Sequence, residues 1–332
     1  MRALVTAPFT DDGLSTLRAS GLDVDYQCWL ETGKLHLGNS LLKVINEGGY
    51  EVVVVEGDEI KEEVIEGSNL KLIGCVRGIP RNIAVAEATA KGIPVLTAPG
   101  RNARAVAELT LCLMLSQARN ITAADRLLRR EFLVDDFGDF AGMYKSTTGF
   151  ELKGRTIGLI GLGQVGFSVA KILQSFEVNL LVTDPYVDDS RIEEVSAERV
   201  ELDELLRRSD VVSVHCLPTE ETNRMLGKRE FELMKKTAVF INTARASITD
   251  EYALLEALKS GVIAGAGLDV FSMEPVDCDN MFLELDNVTV TPHIGGNTVN
   301  TVERQSEILA NDIRTYLEGG MPQHIANPEV LK

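Results

Sequence analysis

Two runs of short apolar segments, each alternating with segments of helical spacing, constrain the fold of this 332-residue chain more than any other feature. The first run contains ALVTA, LDVDYQ, EVVVVEG, LKLIGCV and IPVLTAP, and the second contains TIGLIG, NLLVTD, DVVSVHC, AVFINTA, IAGAGLDV and VTVTPH. Strands that alternate with helices build a parallel sheet with helices packed on its faces. The pattern therefore predicts an α/β protein with two parallel sheets, one in each of two domains.

The turn TAPGRN, from Thr97 to Asn102, separates the two runs and marks a domain boundary. The tail IANPEVLK follows the second run, and we expect it to pack back against the first sheet. The first domain is therefore predicted to be discontinuous, at residues 1–101 plus 299–332. Residues 102–298 are predicted to form the second domain.

Helical spacing directly after the turn predicts one long helix, roughly from Ala103 to Glu131. A helix of this length can bridge two domains and offer its outer face to a second subunit, or it can be a core helix within one chain. We favour the first alternative, which predicts a homodimer through this helix. The segment FLVDDFGDFAGMYKSTTGFEL that follows is predicted to be irregular surface chain.

Charge and cysteine content exclude several classes of partner. The chain has 50 acidic and 33 basic residues and a formal net charge of −17, so its average surface repels nucleic acid and anionic membranes. Its five cysteines are odd in number and widely spaced, with no C-x-x-C pair, so neither a disulfide framework nor a metal site is predicted. No segment approaches the roughly 20 apolar residues of a membrane span. We expect a cytoplasmic protein.

A glycine loop opens the second run. The segment GLGQVG places Gly161, Gly163 and Gly166 after an apolar strand, with Gln164 and Val165 between the last two glycines, and a helix follows. The pattern also occurs in ordinary strand-to-helix turns. In this context, however, the glycines allow a tight turn and the approach of a pyrophosphate, which the helix N-terminus attracts. The loop therefore predicts a dinucleotide site.

An acidic residue at the end of the next strand supports this interpretation. Asp184 lies in NLLVTDPY, 21 residues beyond Gly163 (184 − 163 = 21), where a carboxylate accepts hydrogen bonds from the adenine ribose. No basic residue follows it until Arg191, so NAD is predicted in preference to NADP. Enzymes that use S-adenosylmethionine also pair a glycine loop with an acidic strand end, so the loop alone leaves the chemistry open.

Five blocks in order along the chain resemble the D-isomer-specific 2-hydroxyacid dehydrogenases. They are AEATAKGIPVLTAPGRNARAVAELT, GFELKGRTIGLIGLGQVG, INTARASITDEYALLEAL, AGAGLDVFSMEP and NVTVTPHIGG. This family includes phosphoglycerate, glycerate and hydroxypyruvate dehydrogenases. The resemblance implies a flavodoxin-like substrate domain, a Rossmann domain that binds NAD, and hydride transfer at C2 of a small 2-oxo or 2-hydroxy acid.

The resemblance also implies three catalytic residues. Arg245 in NTARAS matches the family arginine that binds the substrate carboxylate, and a guanidinium fork suits a carboxylate better than an ammonium group does. His293 in TPHIGG and Glu274 in DVFSMEP match the acid/base pair. Histidine suits this role because its unperturbed pKa lies nearest neutrality.

Further cofactor residues are carried over from the family pattern. They are Thr243 and Asp269, expected near the nicotinamide, and His215, Cys216 and Pro218 in HCLP, expected beside the adenosine half. His215 ends the strand DVVSVHC, so it is interpreted as a wall of the cofactor pocket and not as a proton donor.

The segment CVRGIPRNIAV takes the place of the family's substrate loop and departs from it. Val76, Arg77, Gly78 and Arg81 are predicted to bind substrate, although Arg81 and Ala84 replace the two aspartates usual in the family. The two arginines could face an anionic group such as a phosphate, or they could be surface charges.

Two rival functions remain open at this stage. One is an NAD(H)-sensing binding protein like the family's transcriptional corepressors, since these share the catalytic motifs. The other is oxidation of formate or phosphite, and Glu274 argues against formate because formate enzymes typically replace this glutamate. We favour an NAD-dependent dehydrogenase of D-2-hydroxy acids.

Overall fold

The computed structural model describes residues 1–129 and 134–331. Within these residues the chain divides into two compact units. The first unit comprises Met1–Arg101 and Thr298–Lys332, and the second comprises Asn102–Asn297.

Strands along the described chain follow the two predicted runs. They are β1 (Arg2–Val5), β2 (Asp23–Tyr26), β3 (Val52–Val55), β4 (Leu72–Cys75), β5 (Val95–Thr97), β6 (Thr156–Ile160), β7 (Asn179–Thr183), β8 (Glu198–Arg199), β9 (Val211–Val214), β10 (Val239–Asn242), β11 (Gly265–Leu268) and β12 (Val288–Val290).

Helices occupy the connections between the strands. They are α1 (Asp11–Ala19), α2 (Trp29–Thr32), α3 (Asn39–Gly48), α4 (Glu62–Gly67), α5 (Val85–Ala90), α6 (Ala103–Ala118), α7 (Ile121–Arg129), α8 (Phe137–Ser146), α9 (Gln164–Leu173), α10 (Asp189–Glu194), α11 (Leu202–Arg208), α12 (Lys228–Leu233), α13 (Glu251–Lys259) and α14 (Val299–Leu317).

The first unit is built on a parallel sheet with strand order β2-β1-β3-β4-β5. This is the flavodoxin-like order. Strands β3 and β4 are buried along their whole length, as expected for a sheet covered on both faces. The tail returns to this sheet, where the Val95 N–H donates to Asn327 Oδ1 at 2.8 Å and Ala326 N–H donates to Val95 O at 2.8 Å.

Side-chain caps begin two helices of this unit, α1 and α14. Thr10 caps α1 by accepting from Gly13 N–H, and Asp11 and Asp12 lie in the first turn, where acidic groups complement the helix dipole. Thr298 caps α14 in the same way by accepting from Thr301 N–H at 3.1 Å. Helices α1 and α14 pack against each other on one face of the sheet.

The second unit contains a parallel sheet with strand order β12-β11-β10-β9-β6-β7-β8. The chain runs outward from β6 through β7 to β8 and then crosses to β9 on the other side of β6. The carboxyl ends of β6 and β9 therefore flank the switch point at which ligands bind in open parallel sheets. Apolar clusters cover both faces, and one contains the edge-to-face pair Phe231 and Phe240, whose ring centroids lie 5.4 Å apart.

The prediction of one long helix from Ala103 to Glu131 was wrong. Helix α6 ends at Ala118, and α7 begins at Ile121 after Asn120, whose φ of 50° lies in the left-handed region. A left-handed residue cannot continue a right-handed helix, and asparagine tolerates this conformation better than most residues. Glu131 lies outside the described residues.

The prediction of irregular chain after residue 131 was also wrong in part. Phe132 and Leu133 lie outside the described residues, but Phe137–Ser146 forms α8. Asp136 caps this helix by accepting from Asp139 N–H at 2.9 Å. In the described parts of the chain, no helix is both long and apolar enough to cross a membrane.

Candidate active site

Polar residues and glycines follow the strands of the second unit at one edge of its sheet. Gly161 follows β6, Asp184 follows β7, His215 follows β9, Thr243 follows β10 and Asp269 follows β11. The carboxyl ends of parallel strands meet at the same edge, so the sheet order brings these predicted residues to a common side. This edge, called here the carboxyl edge of the second unit, is the candidate site.

The three glycines of the loop occupy positions that suit a dinucleotide. Gly161 has a φ of 95°, and a Cβ there would lie 2.7 Å from Cys216 N. A Cβ on Gly166 would lie 2.3 Å from Gly161 O, so only glycine allows α9 to approach β6 this closely. A Cβ on Gly163 would meet no atom within 4 Å, which leaves this residue open to a ligand. Helix α9 begins at the next residue, Gln164.

Asp184 is held beside the loop by backbone groups. Its Oδ2 accepts from Leu162 N–H at 2.7 Å, and its Oδ1 accepts from Tyr186 N–H at 2.9 Å. A carboxylate has about four lone-pair sites, so it can accept further hydrogen bonds from ribose hydroxyls. The open glycine loop, the start of α9 and this carboxylate together fit the phosphate and ribose groups of a dinucleotide.

His215 and Cys216 form a buried part of the edge. Ser213 Oγ lies 2.9 Å from His215 Nε2, while Nδ1 has no hydrogen-bond partner within the described chain. Burial lowers the pKa of His215 to about 3, so the ring is neutral near pH 7 and unsuited to donating a proton. Burial also raises the pKa of the Cys216 thiol to about 11. Pro218 is half-buried in the loop after them.

His293 and Glu274 form a hydrogen-bonded pair. His293 Nδ1 lies 2.6 Å from Glu274 Oε2, and Glu274 Oε1 accepts from Phe271 N–H at 3.0 Å. An ionised carboxylate only accepts, so Nδ1 is the donor and Nε2 remains available to another partner. The His293 side chain is 41% exposed, and its φ of 57° places it in the left-handed region. Such a conformation costs free energy and is typical of functional positions.

Asp269 holds the loop that carries His293. It is 1% exposed, and its Oδ1 accepts from Thr291 Oγ1 at 2.6 Å and from Ile294 N–H at 2.8 Å. Its Oδ2 accepts from Gly295 N–H at 2.8 Å. These three hydrogen bonds connect the end of β11 to the loop after β12. The loop is therefore anchored to one buried carboxylate on both sides of His293, through the Thr291 hydroxyl before it and two backbone N–H groups after it.

Arg245 lies in a turn organised by Asn242. Asn242 Oδ1 accepts from Ala244 N–H at 3.0 Å, and its Nδ2 donates to Arg245 O at 3.1 Å. The Arg245 side chain is exposed, and its Nη1 donates to Ala244 O at 2.6 Å. Thr243 is buried, with its Oγ1 2.8 Å from Thr110 Oγ1 on α6.

The predicted substrate residues Val76, Arg77, Gly78 and Arg81 lie in the first unit, in the loop after β4. Val76 is buried, both arginines are exposed, and a Cβ on Gly78 would lie 2.9 Å from the Pro99 Cα. No hydrogen bond or ion pair joins either arginine side chain to another described residue of the chain.

Several residues of the carboxyl edge were not identified from the sequence. Thr110, which contacts Thr243, gives no local signal because it lies among apolar residues of α6. Ser272 donates its N–H to Glu251 Oε1 at 3.0 Å, which connects the loop before Glu274 to the start of α13. Such partners come from distant parts of the sequence and can be found only once the sheet order is known.

Comparison with known proteins agrees with the geometry. The family model described as "D-isomer specific 2-hydroxyacid dehydrogenase, NAD binding domain" matches residues 111–295. A D-3-phosphoglycerate dehydrogenase of Archaeoglobus fulgidus is 39% identical over 321 residues, which cover 96% of this chain and 58% of that protein. A glyoxylate reductase of Thermofilum pendens is 40% identical over 281 residues, which cover 83% of this chain and 80% of that protein.

Solved structures extend the similarity to the whole chain. The TT0316 protein of Thermus thermophilus aligns with a TM-score of 0.86 at 32% identity and covers 98% of this chain and 100% of that one. An acyclic imino acid reductase in complex with NADPH and D-Arg aligns with a TM-score of 0.80 at 26% identity, with 98% and 99% coverage. The predicted two-domain α/β fold and nicotinamide cofactor are thus confirmed. The chain belongs to the D-isomer specific 2-hydroxyacid dehydrogenases, a family of NAD-dependent oxidoreductases.

Proposed function

We propose that this protein interconverts a small D-2-hydroxy acid and its 2-oxo acid, with Arg245, Glu274 and His293 as catalytic residues. The observation that carries the proposal is the 2.6 Å hydrogen bond between His293 and Glu274. Both residues belong to the carboxyl edge of the second unit, where the glycine loop also lies. When bound, the nicotinamide accepts or supplies the hydride at C2 of the acid.

His293 and Glu274 manage the proton in this proposal. Reduction of a 2-oxo acid requires a proton at the substrate oxygen, and oxidation requires its removal. Nδ1 donates to Glu274, so Nε2 is the atom that gives the proton to the substrate oxygen or takes it back. Glu274 is itself held by Phe271 N–H, keeps the ring in one orientation and stabilises the imidazolium form.

Arg245 binds the carboxylate of the substrate. Its guanidinium can donate two parallel hydrogen bonds to a carboxylate and stays charged at any working pH. Asn242 holds the backbone of Arg245 at a defined distance from the end of β10. A group fixed in this way orients C2 for hydride transfer and polarises the 2-oxo group.

We propose the same cofactor-binding residues that the sequence predicted. They are Gly161, Gly163, Gln164, Val165 and Gly166 for the pyrophosphate, Asp184 for the adenine ribose, His215, Cys216 and Pro218 for the adenosine wall, and Thr243 and Asp269 for the nicotinamide end. The carboxylate of Asp184 favours NAD because it repels a 2′-phosphate. The second unit is the NAD-binding domain in this proposal, and the first is the substrate domain.

Val76, Arg77, Gly78 and Arg81 bind the part of the acid away from C2. Gly78 has no Cβ, so its backbone can lie close to the backbone of Pro99. The two exposed arginines favour an acid that carries a second anionic group.

The relatives suggest which acids to test, since they include proteins named D-3-phosphoglycerate dehydrogenase and glyoxylate reductase. NADH oxidation should be followed with glyoxylate, pyruvate, hydroxypyruvate, 2-oxoglutarate and phosphohydroxypyruvate, with NADPH as the cofactor control. We expect turnover of at least one acid with NADH, and the fastest turnover with an acid that has two anionic groups. NADH binding without turnover of any acid would contradict the proposal and favour a binding protein that senses NADH.

We further propose a cytoplasmic homodimer. Helix α7 has no buried residue, and its Ile121 and Leu128 are 54% and 69% exposed, while Phe137 at the start of α8 is 89% exposed. Apolar side chains at such exposure are typical of a surface covered by another subunit. Light scattering should give the mass of two chains, and Leu128→Glu should give one.

A further inference from the structure

Arg191 lies beside the glycine loop in an unusual environment for a cation of this acidic chain. Its guanidinium carbon lies 4.2 Å from the centroid of the Phe167 ring, and its Nη2 donates to Gly163 O at 3.3 Å. Its Nε is buried and has no hydrogen-bond acceptor in the described parts of the chain. The stacked ring holds the guanidinium plane next to the open residue Gly163.

Two neighbouring cations, unlike Arg191, have carboxylate partners in the described chain. Arg199 donates to Val187 O at 2.6 Å and to Asp189 Oδ1 at 2.9 Å, so it is satisfied within the protein. Lys171 also lies over the Phe167 ring, at 5.5 Å, and it pairs with Glu194 at 3.0 Å. Arg191 forms no ion pair with any carboxylate in residues 1–129 and 134–331, although the chain has 50 acidic residues.

An incompletely satisfied guanidinium beside an open glycine is suited to an anionic ligand. Arginine has five N–H donors in a planar fork that matches phosphate, and Arg191 uses one of them in a long hydrogen bond. The remaining Nη N–H groups of Arg191 have no acceptor in the described residues, and a phosphate oxygen can accept from such charged donors. The nicotinamide dinucleotides of this family carry such oxygens.

We propose that Arg191 is a cofactor-binding residue whose guanidinium contacts a phosphate group of the dinucleotide held at the glycine loop. This inference rests on the proposed placement of the cofactor at Gly161–Gly166. Two phosphates could supply the contact. The pyrophosphate is common to NADH and NADPH, whereas the 2′-phosphate belongs to NADPH alone. In the second case Arg191 opposes the discrimination by Asp184 and allows NADPH to bind.

The test is equilibrium binding of NADH and of NADPH to the full-length protein, measured by nicotinamide fluorescence and by calorimetry without substrate. Arg191→Gln keeps a polar side chain without the charge, and Arg191→Lys keeps the charge without the fork. Lys171→Gln is the matched control, because Lys171 shares the Phe167 ring but has its own carboxylate partner. Thermal unfolding of each variant checks that the fold is intact.

We expect Arg191→Gln to weaken binding by about tenfold, the effect of losing one hydrogen bond to a charged group. Arg191→Lys should lose less, and Lys171→Gln should bind within about twofold of the wild type, the spread expected of a surface charge. Equal loss for both nucleotides assigns the contact to the pyrophosphate, and loss for NADPH alone assigns it to the 2′-phosphate. Wild-type affinity of Arg191→Gln for both overturns this inference only. A wild-type protein that binds neither nucleotide overturns the cofactor placement as well.

Discussion

The carboxyl edges of the two sheets differ in how their polar side chains are held. In the second unit, Asp269 and Glu274 each accept from backbone N–H groups, and Glu274 in turn holds His293. In the first unit, Arg77 and Arg81 are exposed and form no side-chain hydrogen bond to the described residues. The cations of the first edge are thus held by no side-chain hydrogen bond to the described residues, whereas the second edge has side chains fixed by several hydrogen bonds.

The backbone of the first edge is nevertheless well anchored. Asn82 Nδ2 donates to Asp58 O at 2.7 Å, and the buried Asp58 accepts from Thr6 Oγ1 at 2.6 Å and from His36 N–H at 2.7 Å. Only the arginine side chains of the loop lack such partners. The contrast fits the proposed function, in which proton and hydride transfer use the preorganised edge and the rest of the acid is bound by side chains without fixed partners.

Among changes at the carboxyl edge of the second unit, replacing His293 with alanine should have the largest effect on turnover. We expect turnover to fall by about 1,000-fold, because general acid–base catalysis contributes roughly 100- to 10,000-fold, while NADH binding is retained. Steady-state kinetics and NADH titration measure the two effects.

His324→Ala is the matched control for this prediction. His324 Nδ1 lies 2.8 Å from Asp312 Oδ2, so this pair resembles the pair of His293 and Glu274 but lies in the first unit. Its turnover should stay near that of the wild type. A turnover of His293→Ala within a few-fold of the wild type would remove His293 from the proposed mechanism.

Asp269→Asn should have the next largest effect. One carboxylate oxygen becomes an NH2 group, so two donors would face each other at Gly295 N–H or at the Thr291 and Ile294 donors. We expect the free energy of unfolding to fall by about 2 kcal/mol, as when a buried hydrogen bond is left unsatisfied. Turnover should fall by about 10- to 100-fold because the loop that carries His293 shifts. Urea unfolding and steady-state kinetics measure both.

Asp312→Asn separates the loss of stability from the loss of positioning. Asp312 is 6% exposed and accepts from Gln323 N–H at 2.9 Å and from His324 N–H at 3.0 Å, so it is a buried carboxylate with similar backbone partners. Its replacement should lower stability by a similar amount and leave turnover unchanged. Equal losses of turnover in the two variants would mean that Asp269 does not act through the His293 loop.

The strands and the glycine loop could be predicted from the sequence because their signals are local. Apolar runs such as VVVV at Val52–Val55 become strands buried along their whole length, and the spacing of Gly161, Gly163 and Gly166 reflects close backbone contacts within one turn. The pairing of His293 with Glu274 came from the family resemblance. Their 19-residue separation carries no geometric signal of its own.

Other features depended on contacts that local patterns do not encode. The break at Asn120 gives no signal in the sequence pattern. Apolar residues at helical spacing continue from α6 into α7, and only the left-handed backbone at Asn120 separates the two helices. The contact of Asp269 with the loop after β12 joins residues 22 to 26 positions apart, and it follows from the pairing of β11 with β12. Sheet order was needed before the contact of Asp269 could be assigned.

The smallest effect on catalysis is expected at the carboxyl edge of the first unit, and its size should depend on the substrate. Arg77→Gln and Arg81→Gln should each lower kcat/KM about tenfold for an acid with a second anionic group, the effect of losing a hydrogen bond to a charged group. Glyoxylate has no such group, so its kcat/KM should change by less than about twofold, as for a surface charge. Arg18→Gln is the control, because Arg18 is an exposed arginine at the end of α1. An equal loss of kcat/KM for all acids would show that Arg77 and Arg81 also affect the proton and hydride transfer steps. The distinction between the two edges would then be wrong.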